Sequence, residues 1–311
     1  MRKLLLLTAA TLVLSSASCV QQPTRTDQQN ANQTQATSAG DQNFKRIHDA
    51  YVREFLRRNP TVNTYLGGAG LDPALREVDG RLRDHSAASI DAEDRWLADT
   101  QKSLDTLAPD TLSPALRIDG EVALAQTRFL LRQHSTRKYQ QRALDTYTDE
   151  PFRAIDWQLQ GMTQTGEKTY GTPEEWALVV SRLQTVPRYF QVAQEQLAAG
   201  VKSGNTPDQR MLFRNGITTA ESTARYFEKT LPDLAAERVA ASAAGGYRAL
   251  RDYVAQTFFD NASQPTATNV KTQFRQDRFA LGEDEYNWAL KNTCACRTPP
   301  PRNSSTSRWR L

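Results

Sequence analysis

The stretch Thr172 to Gly200, TPEEWALVVSRLQTVPRYFQVAQEQLAAG, limits this chain more than any other. Thr172 and Glu175 stand at the spacing of a capping box, in which each side chain satisfies an amide that the first helical turn leaves open. Pro173 follows at N1, where its missing N–H costs nothing. Apolar residues then recur at three and four positions through a run too long for a strand, so the segment reads as one long helix. Gly200 reads as its stop and Pro187 as a kink.

The same grammar recurs along the chain. Phe44, Ile47, Tyr51 and Phe55 share one helical face in FKRIHDAYVREFLRRNP, which Pro60 ends, and Trp96, Leu97, Leu104 and Leu107 do so in DAEDRWLADTQKSLDTLAPD. Ser113 reads as an N-cap whose oxygen accepts an orphan amide, with Pro114 at N1 of the next helix. Thr206, Pro207 and Gln209 read as a second Thr-Pro start, for a helix reaching Thr230. Shared capping chemistry accounts for the pair better than an internal repeat. DLAAERVAASAAGG and YRALRDYVAQTFFDN read as a helical hairpin broken at Gly245 and Gly246. KYQQRALDTYT alone shows any alternation and reads as irregular. The fold class is therefore all-α: long antiparallel helices with short loops.

The ends have another character. MRKLLLLTAATLVLSSASC combines a cationic start, an apolar run and small residues before Cys19, which is the pattern of an export signal over residues 1–18. The small-small-Cys ending resembles the lipobox of bacterial lipoproteins, which makes Cys19 the expected lipidation site. Ser16 stands where such boxes carry an aliphatic residue, so ordinary signal cleavage is the alternative. Several acyl chains on one cysteine anchor a protein durably. Val20 after the cysteine, by resemblance, points to the outer membrane facing the periplasm. Residues 19–43, rich in Gln, Asn, Thr and Ser, read as a flexible tether, and 44–292 as the helical domain.

The net charge of +4 comes from the ends. Of 39 Lys and Arg and 35 Asp and Glu, seven and two lie outside 44–292, leaving 32 against 33. A neutral body carries no nucleic-acid footprint.

Chemistry is sparse in the sequence. His48, His85 and His134 are the only histidines, none with a metal-ligand partner at i+4, and they read as solvated or core residues. No G-x-S-x-G elbow occurs, and Gly67, Gly68 and Gly70 read as a turn after a helix. The carboxylates of DAEDRW, TDEPF and GEDEY read as complements to helix N-termini. Trp96, Trp157, Trp176 and Trp288 read as core bulk. Cys294 and Cys296, one residue apart, suit neither zinc nor an easy disulfide. No catalytic, cofactor or metal residue is assigned.

EFLRRNPTVNTYLGGAGLD, YGTPEEWALVVSRLQTVPRYFQVAQEQLAAGVKSGNTP and FALGEDEYNWALKN, in this order and spacing, resemble the bacterial family called domain of unknown function 885, many of whose members are exported lipoproteins. The resemblance covers 44–292 and implies a helical relative of zinc metallopeptidases that acts on peptides. It places the zinc-binding His-Glu motif in a C-terminal half that no residue here matches. The expectation is an N-terminal half that walls a long substrate cleft and is inactive alone, the alternative being a complete, non-enzymatic binding or scaffold lipoprotein. TCACRTPPPRNSSTSRWRL, residues 293–311, reads as a disordered tail from a shifted reading frame. Loss of a second half would leave apolar faces uncovered, most of all between Tyr247 and Leu290.

Overall fold

The computed structural model describes residues 38–166, 169–231, 237–278 and 282–292, all within one unit that begins at Ser38. In chain order its helices are α1 (Ala39–Arg58), α2 (Pro60–Leu66), α3 (Ala87–Asp105), α4 (Pro114–Ser135), α5 (Leu144–Gln160), α6 (Pro173–Ser203), α7 (Gln209–Phe213), α8 (Ala220–Lys229), α9 (Glu237–Phe258) and α10 (Glu283–Asn292). A π-helical turn, Arg214–Thr219, joins α7 to α8. One small antiparallel ribbon, β1 (Gln164–Gly166) with β2 (Thr169–Tyr170), interrupts an otherwise all-α architecture.

α6 is the axis of the molecule. Its capping box is formed as the sequence dictates: Thr172 Oγ1 accepts from the Glu175 amide at 3.2 Å, and Glu175 Oε2 accepts from the Thr172 amide at 2.8 Å. Val179, Leu183, Val186, Phe190, Ala193 and Leu197 form its inner stripe, buried against Ala243, Ala244, Tyr247, Leu250 and Val254 of α9 and Phe227 of α8. Two smaller cores seat α1: one joins Phe44 to Leu104, Leu112 and Ala123 of the α3–α4 hairpin, the other joins Leu56 to Leu75 and Val78.

Several expectations need correction. α9 runs unbroken through Gly245 and Gly246. A Cβ on Gly246 would stand 3.0 Å from the Phe190 ring and 3.5 Å from Pro187 Cα, so this glycine lets α9 approach α6 and ends nothing. Gly200 likewise lies inside α6, where a Cβ would meet the carbonyl oxygens of Gln141 and Asn205. The stop is Gly204, in the left-handed conformation at φ 70°. α6 is continuous through Pro187. Asp208, and not Thr206, caps α7, its carboxylate accepting from the Arg210 amide. Ser113 sits at the N-cap of α4 without a side-chain cap; Asp41 Oδ1 instead accepts from the Ser113 amide at 2.8 Å. Leu144 to Thr148, taken as irregular, open α5.

α1 begins at Ala39, inside the stretch read as tether. Ser38 caps it and donates to the Thr111 carbonyl at 2.8 Å, so hydrogen bonds and not apolar burial recruit these polar residues. Exposure was expected between Tyr247 and Leu290. Tyr247, Leu250, Val254, Phe258, Phe259, Val270 and Phe274 are buried, and among the described residues of that span the exposed large apolar ones are Tyr286 and Leu290. Cys19, the signal segment, Cys294 and Cys296 lie outside the described residues. Among the described residues no helix is long and apolar enough to cross a membrane.

Candidate functional site

The segment 81–85, between a 3-10 turn and α3, is held straight by side chains of α6. Buried Arg182 donates through Nε to the Arg81 carbonyl at 2.9 Å. It also donates to the Ala154 carbonyl at 2.7 Å, Gln158 Oε1 at 3.1 Å and Thr64 Oγ1 at 2.8 Å. Burial lowers its pKa to about 10, against the raising pull of Asp79 and Glu150. Gln196 donates to the His85 carbonyl at 2.8 Å. Downstream, Asp84 and Ser86 fix the entry to α3: Asp84 accepts from the Ser86 amide at 2.8 Å and Ser86 accepts from the Ser89 amide at 3.3 Å.

This scaffold delivers two side chains inward. Arg83 donates through one terminal nitrogen to both oxygens of buried Glu93, at 2.8 and 3.1 Å, and through the other to Asn59 Oδ1, leaving its buried Nε without a partner. His85 places Nε2 at 3.0 Å from Glu150 Oε2 of α5, a pair that leaves only 11% of each side chain exposed. Tyr189 of α6 donates to the same oxygen at 3.0 Å, and Thr61 of α2 donates to Glu150 Oε1 at 3.3 Å. The His85 ring meets Tyr147 and Tyr189 edge-on, at 5.2 and 5.7 Å between centroids.

Burial alone would raise the pKa of Glu150, but the His85 hydrogen bond, the charges of His85 and Arg83 and the Tyr189 hydrogen bond outweigh it. The carboxyl is held below the ordinary range. Tyr189 is pushed well above its usual value, by burial first and by Glu150 second. Glu150 is thus an ionised acceptor that fixes Nε2 of His85, while Nδ1 makes no hydrogen bond with any described residue. A carboxylate so placed fixes the orientation of the imidazole ring.

The cluster borders an open cleft of about 320 Å³, lined by Asn59, Thr61, Arg83, His85, Glu150 and Trp157 among others. Trp157 is half-buried and packs on exposed Tyr65 at 4.6 Å, making an apolar wall beside the polar cluster. The other three tryptophans taken as core bulk are also only partly buried: Trp96 stacks on Tyr51 at 5.3 Å, Trp176 packs on the main core, and Trp288 lies under Arg132 at 4.5 Å.

Sequence reasoning set His85 aside and took the carboxylates of TDEPF for helix-start complements. Glu150 instead lies in the second turn of α5, three residues after Tyr147 and four before Ala154, on the buried stripe. A carboxylate on an apolar face was the available signal. Glu93 also sits inside its helix, whereas Glu283, Asp284 and Glu285 do occupy the first turn of α10. His134 makes its own pair with Asp94, at 2.7 Å. Among the described residues no group of three His, Cys, Asp or Glu is placed to hold a metal ion. Glu150 is already shared by His85, Tyr189 and Thr61, so these residues do not fit a zinc centre and no step is drawn through one.

The body is helical, with a buried His-Glu-Tyr cluster at the side of a half-apolar cleft. The model of a family described as bacterial protein of unknown function, domain of unknown function 885, matches residues 60–302, and the chain belongs to that family. No curated protein is significantly similar to it.

Proposed function

We propose that this protein is a lipid-anchored component of the bacterial envelope, attached through Cys19 to the outer membrane and facing the periplasm. In this reading it supplies the N-terminal, ligand-receiving half of a metallopeptidase-like architecture. The cleft between Trp157 and the His85–Glu150 pair carries the proposal, because it offers an extended peptide what it needs: an apolar wall for a side chain and fixed polar groups for the backbone. His85 and Glu150 orient the ligand, and metal-dependent hydrolysis belongs to residues other than those described.

A second reading is a non-enzymatic binding lipoprotein. It is favoured by the burial of Tyr247, Leu250, Val254, Phe258, Phe259, Val270 and Phe274 within this chain's own core. One set of measurements separates the readings. Wild-type protein is expected to incorporate an alkynyl palmitate label that Cys19→Ser abolishes, and to bind a pool of unstructured octapeptides with a change in tryptophan fluorescence that Trp157→Ala weakens at least tenfold. Unlabelled wild type would sink the anchor. Undiminished peptide binding by Trp157→Ala, or none by the wild type, would sink the cleft. Peptide binding without hydrolysis, with zinc supplied, would favour the second reading.

A further inference from the structure

A second polar cluster lies where the loop after α4 meets the turn after α6 and the start of α10, and one of its cations has no hydrogen-bond partner among the described residues. Arg132 grips Glu285 through Nε at 3.0 Å and a terminal nitrogen at 2.9 Å, and Arg137 approaches the other oxygen of Glu285 at 3.8 Å. Arg278 donates to the Gly204 carbonyl at 3.0 Å and to Asn205 Oδ1 at 3.4 Å, while the Asn205 amide donates to the carbonyls of Arg137 and Lys138. Among the described residues Lys138 is the non-glycine residue held at positive φ, 45°, so the loop that presents these cations is under backbone strain.

Arg142 stands among them with nothing to hold. Its guanidinium makes no hydrogen bond with any described residue, and its Nε is buried without a partner. It lies against the Tyr139 ring, 5.9 Å from the centroid. Burial lowers its pKa, the positive charges of Arg137 and Arg278 lower it further, and Tyr139 and Glu285 only partly oppose them. The nearby carboxylates are already engaged. Asp145 accepts from the Tyr139 hydroxyl at 3.0 and 3.1 Å. Asp208 accepts two bonds from the Arg210 side chain and one from the Arg278 amide at 2.7 Å, and the Arg210 bonds chiefly bring its pKa down to about 2. Glu285 is thus taken by Arg132 and approached by Arg137, and among the described residues no carboxylate lies within ion-pair distance of Arg142.

We propose that Arg137, Arg142 and Arg278 form a binding site for a doubly charged tetrahedral oxyanion, a phosphate group. The guanidinium fork offers paired donors at the spacing of two phosphate oxygens. An unpartnered, half-buried arginine in a like-charged cluster destabilises the free protein and is offset when the anion arrives. A soluble phosphate compound and the headgroup of a phospholipid present the same chemistry, and the site lies apart from the His85 cleft and does not depend on its reading.

Titration of the full-length protein with sodium pyrophosphate, followed by calorimetry and by melting temperature, tests this, together with co-sedimentation on phosphatidylglycerol and phosphatidylcholine vesicles. Saturable binding of pyrophosphate is expected, weakened at least tenfold by Arg142→Met and several-fold by Arg142→Lys, which keeps the charge and loses the fork. Arg188→Gln, at an exposed pair elsewhere, leaves it unchanged. Without anion, Arg142→Met is expected to melt about 1–3 °C above wild type, because it removes an unpaired charge. Binding to phosphatidylglycerol vesicles alone, lost in both Arg142 variants, identifies a lipid headgroup as the source; binding of free pyrophosphate identifies a soluble one. The proposal is overturned if neither probe binds, or if both Arg142 variants bind as wild type does.

Discussion

The two polar clusters of this protein, one around His85 and one around Arg142, contrast in how they handle charge. In the first, partners face each other: His85 with Glu150, Arg83 with Glu93, and Tyr189 donating to the shared carboxylate. In the second, Glu285 answers Arg132 and Arg137 while Arg142 answers nothing. A buried ionic network is tolerable when every member is satisfied and costly when one is not. Arg83 also leaves its buried Nε unpartnered, but its terminal nitrogens hold Glu93 and Asn59, whereas the Arg142 guanidinium has no hydrogen-bond partner among the described residues; the first cluster therefore belongs to the stability of the resting fold, and the second holds back stability that an added anion can release. If that contrast is right, substitutions in the two places should move stability in opposite directions.

The largest effect is expected at Arg182, the side chain that ties α6 to the segment carrying Arg83 and His85. Replacement by Met fills much of the volume but leaves the carbonyls of Arg81 and Ala154, Gln158 and Thr64 short of a donor. The loss should be about 3 kcal/mol, read from the midpoint of urea unfolding. A loss below about 1 kcal/mol would mean that water or rearrangement replaces the arginine, and that the first cluster is not the rigid one.

Glu150→Gln comes next. At neutral pH it weakens the acceptor for His85 and Tyr189 and should cost about 1–3 kcal/mol. Its pH dependence is more telling. Because the folded carboxyl titrates below its unfolded value, it contributes stability that is fully present above about pH 4.5 and is lost as pH falls through the lower, folded value. Wild type should thus lose stability more steeply than Glu150→Gln below pH 4.5. Parallel acid limbs would show that Glu150 is not held ionised by its neighbours.

How much of this was legible beforehand depends on the range of the cause. The start of α6 was readable because Thr172, Pro173 and Glu175 act within one turn, and the all-α class follows from repeating that local logic. Gly200 and Gly246 misled because their reason lies across space, in the Gln141 carbonyl and the Phe190 ring. The His85–Glu150 pair joins residues 65 positions apart, and Glu150 with Tyr189 another 39, so no local spacing announced it. The tail-like arginines drew attention to the ends of the chain, while the unpartnered one, Arg142, was hidden inside a body whose charges cancel in the sum.

The smallest effect probes the second cluster directly. Raising ionic strength from about 0.01 to 0.3 M shortens the screening length from roughly 30 Å to below 8 Å, which weakens repulsion among the arginines around Arg142 more than it weakens close, buried pairs. Wild type should gain a few tenths of a kcal/mol of stability over that range, and Arg142→Met should gain less, since its cluster has lost the unpaired charge. Sodium chloride and sodium fluoride should act alike if screening is the cause, whereas a difference between them would point to direct occupation of the site by an anion. Equal gains in wild type and variant would remove the contrast, because the Arg142 cluster would then behave as just another exposed set of charges.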